Sequence, residues 1–257
     1  MIQPQKIIQV RDLTVWKLSD DNWIVIATDG LGGIGQQPHD EVFALPQDVG
    51  YFTARVALFE LISANVSPNI LINTLSVGGS YANQIVDGIR EAAMDANLGS
   101  DFPITGSSED NVPAKLTALG VIAMGSVNMR RFSPGSAKPG DEVWLAGEPK
   151  SAPKDQVYRG DSTSVTFAQL RAMKTIQNLR DIIPVGSKGA NYEASQIAAS
   201  AGLIWLPSPI ADTDIGLKSG GPATSVVVAG RFTDEPLWNQ LCNEIPCTKL
   251  GVLKNKT

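Results

Sequence analysis

The residues best equipped for chemistry lie in Thr105-Gly106-Ser107-Ser108-Glu109-Asp110-Asn111-Val112-Pro113. Small residues of this kind let a phosphate chain come close, and adjacent carboxylates can hold a divalent cation against it. The same stretch also reads as an ordinary acidic turn. A second group is Asp29-Gly30-Leu31-Gly32-Gly33-Ile34-Gly35, in which a carboxylate opens a glycine-rich segment. Glycines so placed give backbone freedom where a ligand or another chain must approach. The segment is not a Walker A motif, because the Lys-Ser/Thr ending is missing, and it lacks the helix-opening context of a dinucleotide fingerprint.

Other chemistries have little to work with. His39 is the sole histidine, and Cys242 and Cys247 are the two cysteines, so neither a Cys/His zinc site nor a disulfide framework can be assembled. The same scarcity weakens a Ser-His or Cys-His nucleophile. His39 reads as a surface-loop residue, the cysteines as packing residues, and Tyr81 and Trp144 as core aromatics. The 257 residues, 43% hydrophobic and 18% charged, describe a soluble globular chain. A formal net charge of -5 without a dense Lys/Arg run argues against a nucleic-acid partner. An acidic protein that handles a phosphorylated ligand needs metal ions or backbone amides to meet the phosphate charge. The N-terminus lacks a secretory pattern and no stretch is long and apolar enough to span a membrane, so a cytoplasmic location is expected.

The elements that must position these residues read as α/β. Ile7–Leu18 and Trp23–Thr28 form a hairpin around Ser19-Asp20-Asp21-Asn22, with the second run buried on both faces. A helix starts at Asp48 and carries Phe52, Val56, Phe59 and Ile62 on one face, with Glu60 at its edge. Ile70–Val77 reads as a strand, Tyr81–Ala96 as an amphipathic helix, Phe102–Thr105 as a short strand delivering the acidic loop, and Lys115–Met124 as the strand after it. Turn formers from Arg130 to Asp141 mark a boundary, giving domains 1–133 and 134–257. In the second, strands are expected at 142–146, Ala223–Ala229 and Cys247–Leu253, and helices over 163–181 and Asn191–Ala201.

The order of these features resembles the aminoimidazole ribonucleotide synthetase superfamily over nearly the whole chain. The resemblance rests on the strand with Asp12, the strand ending Thr28-Asp29-Gly30, and the helix from Asp48-Val49-Gly50 to Glu60 before Pro68. The Gly-rich acidic loop and Lys138-Pro139-Gly140-Asp141 ahead of a strand complete it. It implies an ATP-dependent enzyme of two α/β domains, whose N-terminal domains form a β-barrel across a homodimer. Nucleotide phosphates and Mg²⁺ would then be gripped by carboxylates. Carried over by position, Asp12, Asp29, Glu60 and Glu109 are the implied metal ligands. Asp12, Asp29, Gly30, Gly32, Gly106, Ser107, Ser108 and Lys188 are the implied nucleotide-binding residues, and Glu109 and Asp110 the catalytic acids.

The sequence departs from the family where Ser108 stands at the expected acid and where Glu60 replaces an aspartate. Lys188 breaks a pattern that has aspartate before the glycine, and as a cation it could receive a substrate phosphate. These departures favour a small-molecule kinase acting on a riboside or vitamin precursor, with α-ribazole kinase of cobalamin lower-ligand salvage as the named expectation. A ring-closing synthetase, a thiamine-monophosphate kinase-like enzyme and a non-catalytic nucleotide-binding accessory protein are the alternatives.

Overall fold

The computed structural model describes residues 6–256, in two compact units. The first runs up to Leu61 and takes in Val66–Arg130; the second takes in Ile62–Asn65 and the chain from Arg131 onward. In the first, β1 (Lys6–Val10), β2 (Leu13–Lys17) and β3 (Asn22–Gly32) are followed by the short β4 (Ile34–Gly35) and β5 (Val42–Phe43). Then come α1 (Pro46–Ser63), β6 (Ser67–Leu75), α2 (Gly79–Asp95), β7 (Ile104–Ser108) and β8 (Ala118–Asn128). Six of the strands make one sheet in the order β1-β2-β3-β8-β6-β7. It is open, with β1 and β7 at its edges. Every pairing is antiparallel except β6 with β7.

Alternation assigns the two faces of this sheet. Val15, Val25, Ala27, Leu71, Val121 and Ala123 are almost wholly buried, as are Ala54, Leu58 and Leu61 of α1 and Ile85, Ile89 and Ala92 of α2. The opposite face carries Ile24, Ile26, Ile70, Ile72, Ile122 and Met124 in register, all half-buried. The two helices touch through glycine. A Cβ on Gly50 would stand 1.9 Å from the Ile85 carbonyl oxygen, and one on Gly88 1.9 Å from that of Gln47. Beneath this crossing Arg55 is buried over the Phe59 ring at 4.0 Å, and the Tyr51 hydroxyl donates to Asp95 at 2.8 Å. Burial lowers the Arg55 guanidinium to about 10 and raises the Tyr51 phenol to about 12.

The second unit has β9 (Glu142–Ala146), α3 (Phe167–Met173), β10 (Leu179–Pro184), α4 (Ala190–Ser200) and β11 (Leu203–Pro207). It continues with α5 (Asp214–Leu217), β12 (Val226–Gly230), α6 (Pro236–Glu244) and β13 (Cys247–Asn255). Its sheet, ordered β10-β12-β9-β13-β11, is antiparallel throughout. Ala190, Ala194 and Ile197 of α4 pack with Val143, Leu145, Val227 and Leu253. Trp238 of α6 stacks edge-on with Trp144 and Phe232.

Several expectations are corrected. The first run is two strands, because Arg11 takes a left-handed φ of 55° and turns the chain, leaving Asp12 in a hairpin turn instead of on a strand. The helix expected over 163–181 stops at Met173; Asn178 is left-handed and Leu179–Pro184 pair with β12. Gly106, Ser107 and Ser108 are strand residues, because β7 pairs in parallel with β6 as far as Leu75 with Ser108. β11 and α6 were not anticipated. No helix among the described residues is long and apolar enough to cross a membrane.

The reciprocal glycine contact makes a direct prediction. Gly88→Ala should lower the unfolding free energy by about 1–3 kcal/mol, since the added methyl meets backbone that cannot yield cheaply. Urea unfolding should show a lower midpoint, and an unchanged midpoint would contradict the crossing.

Candidate functional site

One end of the six-stranded sheet gathers most of the residues singled out by sequence. Gly30 of β3 pairs with Gly120 of β8, Gly120 with Thr74 of β6, and Thr74 with Ser107 of β7, so a row of small side chains crosses four strands on one face. An open groove of about 420 Å³ runs here, lined in part by Gly30, Thr74, Ser76, Ala118 and Gly120. Gly30 and Gly32 need no special backbone, and a Cβ on either would meet nothing within 4 Å. The fold itself therefore has no use for glycine at these two positions. Strand glycines with open space above them suit a close approach from outside.

Asp29 follows the buried Val25 and Ala27 on the helix-covered face of β3, opposite the face of Gly30. Burial lifts its carboxyl from 3.8 to about 6, an effect that the Gly30 amide only partly offsets. A half-buried carboxylate of this kind gains from a cation. Asp12, exposed in the turn before β2, lies at this end too, because β2 starts beside the later half of β3.

The acidic loop is tied down by its own carboxylates. Glu109 Oε1 accepts from the Asn111 and Val112 amides at 2.7 and 3.0 Å. Asp110 accepts from the Gly79 amide at the start of α2 and from the Ser108 hydroxyl, both at 2.9 Å. The Gly79 amide is the main reason its carboxyl is held below the usual range. Gly106 is needed for packing, since a Cβ there would meet the Asn73 backbone and side chain within 2.5 Å.

Sequence reasoning missed the network that fixes the glycine-rich segment. Asp40 accepts from the Thr117 amide and hydroxyl at 2.8 and 2.7 Å and from the Gln37 amide at 2.7 Å. The Tyr81 hydroxyl accepts from the Gln36 amide at 2.8 Å and lies 3.1 Å from Thr117 Oγ1. Because Thr117 donates to Asp40, the Tyr81 proton points to Thr117. No local pattern could have found a clasp whose members are 77 residues apart. Tyr81 is thus a polar tether rather than a plain core aromatic.

Two expected participants lie on other elements. Glu60 lies near the C-terminal end of α1, and Lys188 belongs to the second unit, exposed, with its Nζ 4.3 Å from the Tyr192 ring centre. Among the described residues no three Asp, Glu, His or Cys side chains gather as a metal centre. A magnesium site is commonly built from one or two carboxylates with phosphate oxygens and water; Asp29 offers one such carboxylate at the same sheet end as the glycine row, with its side chain on the helix-covered face and the row on the other.

No protein-family model matches the sequence, and no curated protein does. Solved structures do match. Thiamine-monophosphate kinase from Stenotrophomonas maltophilia K279a is 16% identical with a TM-score of 0.62, the match covering 100% of this chain and 91% of that one. A thiamine-monophosphate kinase complexed with AMPPCP and TMP is 12% identical at a TM-score of 0.62, covering 95% of this chain and 85% of that one. The hydrogenase maturation protein HypE in complex with ATP is 11% identical at 0.61, covering 90% and 77%. The chain shares its fold with these enzymes.

The raised Asp29 carboxyl makes stability depend on pH. Between about pH 4 and 6 the folded chain holds a proton that the unfolded chain has lost, so stability falls as pH rises through this window. In metal-free buffer Asp29→Asn should therefore be stabilising near neutrality, by roughly 2 kcal/mol. The gain should vanish near pH 4, as urea unfolding at both pH values will report; a destabilised variant at neutral pH would refute the assignment.

Proposed function

We propose that this chain is an ATP-dependent enzyme of the kinase type, which receives a triphosphate at the small-residue end of the first unit's sheet and transfers its γ-phosphoryl group to a hydroxyl of a small molecule. The observation that carries this reading is the open space above Gly30 and Gly32, which the fold does not require and a phosphate chain can use. Its support from outside is that the neighbours include thiamine-monophosphate kinases, one of them complexed with AMPPCP and TMP.

Phosphoryl transfer needs positioning and charge neutralisation more than covalent catalysis. Magnesium, when bound, supplies that neutralisation at the phosphate oxygens. Asp29 is the leading ligand, with Asp12 or Glu109 as the candidate second carboxylate and phosphate oxygens and water making up the rest; Glu60 and Lys188 are given no part. Asp110 acts as a positioning residue, since both its oxygens hold α2 and Ser108. Glu109 is the acid to test as the base, because the Asn111 and Val112 amides both donate to its Oε1. The half-buried isoleucine face of the sheet supports pairing with a second copy of the chain, as a barrel-forming homodimer requires.

The acceptor class is a riboside or vitamin precursor. α-Ribazole is one member of it, and TMP, which one of the neighbours binds, is another. A second reading, a nucleotide-binding accessory protein, is favoured by one observation: Glu109 and Asp110 are occupied in holding their own loop. An ADP assay with phosphorus NMR over a panel including α-ribazole and TMP separates these. The kinase reading expects ADP with a phosphorylated acceptor, abolished by chelation of magnesium and by Asp29→Asn. Free inorganic phosphate would point to synthetase chemistry, and AMPPCP binding without turnover to the accessory role.

A further inference from the structure

A second cavity, of about 430 Å³, opens in the second unit where β12 ends and β9 begins, with Gly140, Glu142, Arg231, Asp234 and Glu235 in its lining. The Lys138-Pro139-Gly140-Asp141 turn seats the arginine. Arg231 Nη2 donates to the Pro139 carbonyl at 3.2 Å, Nε lies 4.0 Å from the wholly buried Asp141, and the Arg231 amide donates to the Asn178 carbonyl at 3.1 Å. Gly140, at φ 84°, makes room for it, since a Cβ there would stand 2.3 Å from Nη2. Among the described residues Arg231 Nη1 has no partner.

Two carboxylates line the same cavity without closing onto this guanidinium. Asp234 is exposed, and Glu235 opens α6 without bonding to its amides. Among the described residues Asp141 is the one acid paired with Arg231. Glu142 is already matched, because Trp144 Nε1 donates to it at 3.1 Å and Lys249 pairs with it. Opposite charges that share a cavity and stay apart are complementary to an occupant bearing both signs.

We propose that this cavity binds a free basic α-amino acid, with its carboxylate on Arg231 and its ammonium groups on Asp234 and Glu235. The planar fork of an arginine suits a carboxylate. One guanidinium facing two unmatched carboxylates leaves the lining one negative charge in excess, which a lysine-type ligand cancels. A phosphate or a dicarboxylate would meet the acids, and a polyamine would leave Arg231 unanswered. The site uses residues of the second unit alone and does not depend on the nucleotide reading.

Calorimetric titration with L-lysine, cadaverine and L-norleucine tests this, since cadaverine lacks the carboxylate and norleucine the side-chain ammonium. L-Lysine should bind wild type saturably, and each analogue roughly tenfold or more weakly. The paired substitution Asp234→Asn and Glu235→Gln should remove the advantage of lysine over norleucine, and Arg231→Gln its advantage over cadaverine. Asp141 keeps Arg180 at 3.2 Å, so Arg231→Gln leaves no buried charge unpaired, and matching thermal unfolding checks each variant. Should Arg231→Gln unfold, the paired substitution still decides. Wild type that fails to bind lysine, or binds either analogue equally well, would overturn the proposal. Lysine binding unchanged by the paired substitution would also overturn it, by assigning the ligand to another part of the chain.

Discussion

The first unit depends on two helices meeting backbone to backbone. Gly50 and Gly88 each accept the other helix at a distance that any side chain would forbid, and the contact fixes where α2 begins. From that first turn the Gly79 amide holds Asp110, and Tyr81 reaches across to Thr117 and the glycine-rich segment. The acidic loop and the glycine loop are therefore both referenced to one helix end. Their positions follow from packing that lies well away from the groove.

Electrostatics then distinguish carboxylates that look alike in sequence. Asp110 is stabilised by an amide and a hydroxyl, and its charge is spent on the loop. Asp29 is penalised by burial and receives little in return, which leaves it in need of a cation. Asp40 accepts three donors and holds the glycine-rich segment in place. A net acidic chain can in this way present a neutral, small-residue surface on one face of the sheet and, at the same sheet end on the other face, a carboxylate that gains from a cation.

Much of this was legible in the sequence. The apolar periodicities located α2, α4, β9 and the core of β3, because those elements bury one consistent face or run. Asp29 and the glycines after it were found because their types are unusual in a strand end. What could not be read depends on partners distant in sequence. Asp12 was taken as a strand residue because nothing local announces that Arg11 turns left-handed. The long helix over 163–181 was overextended because Leu179–Pro184 form a strand only through their pairing with β12. The same holds for Ser107 and Ser108, whose strand character comes from β6.

The central claim is that the glycine row admits a phosphate chain. Gly30→Val tests it most directly, since the added side chain meets open space in the fold and leaves no reason for unfolding. Titration calorimetry with Mg·AMPPCP should show wild type binding and the variant, equally stable, failing to bind. A Gly30→Val protein that binds the nucleotide as tightly as wild type would contradict the account.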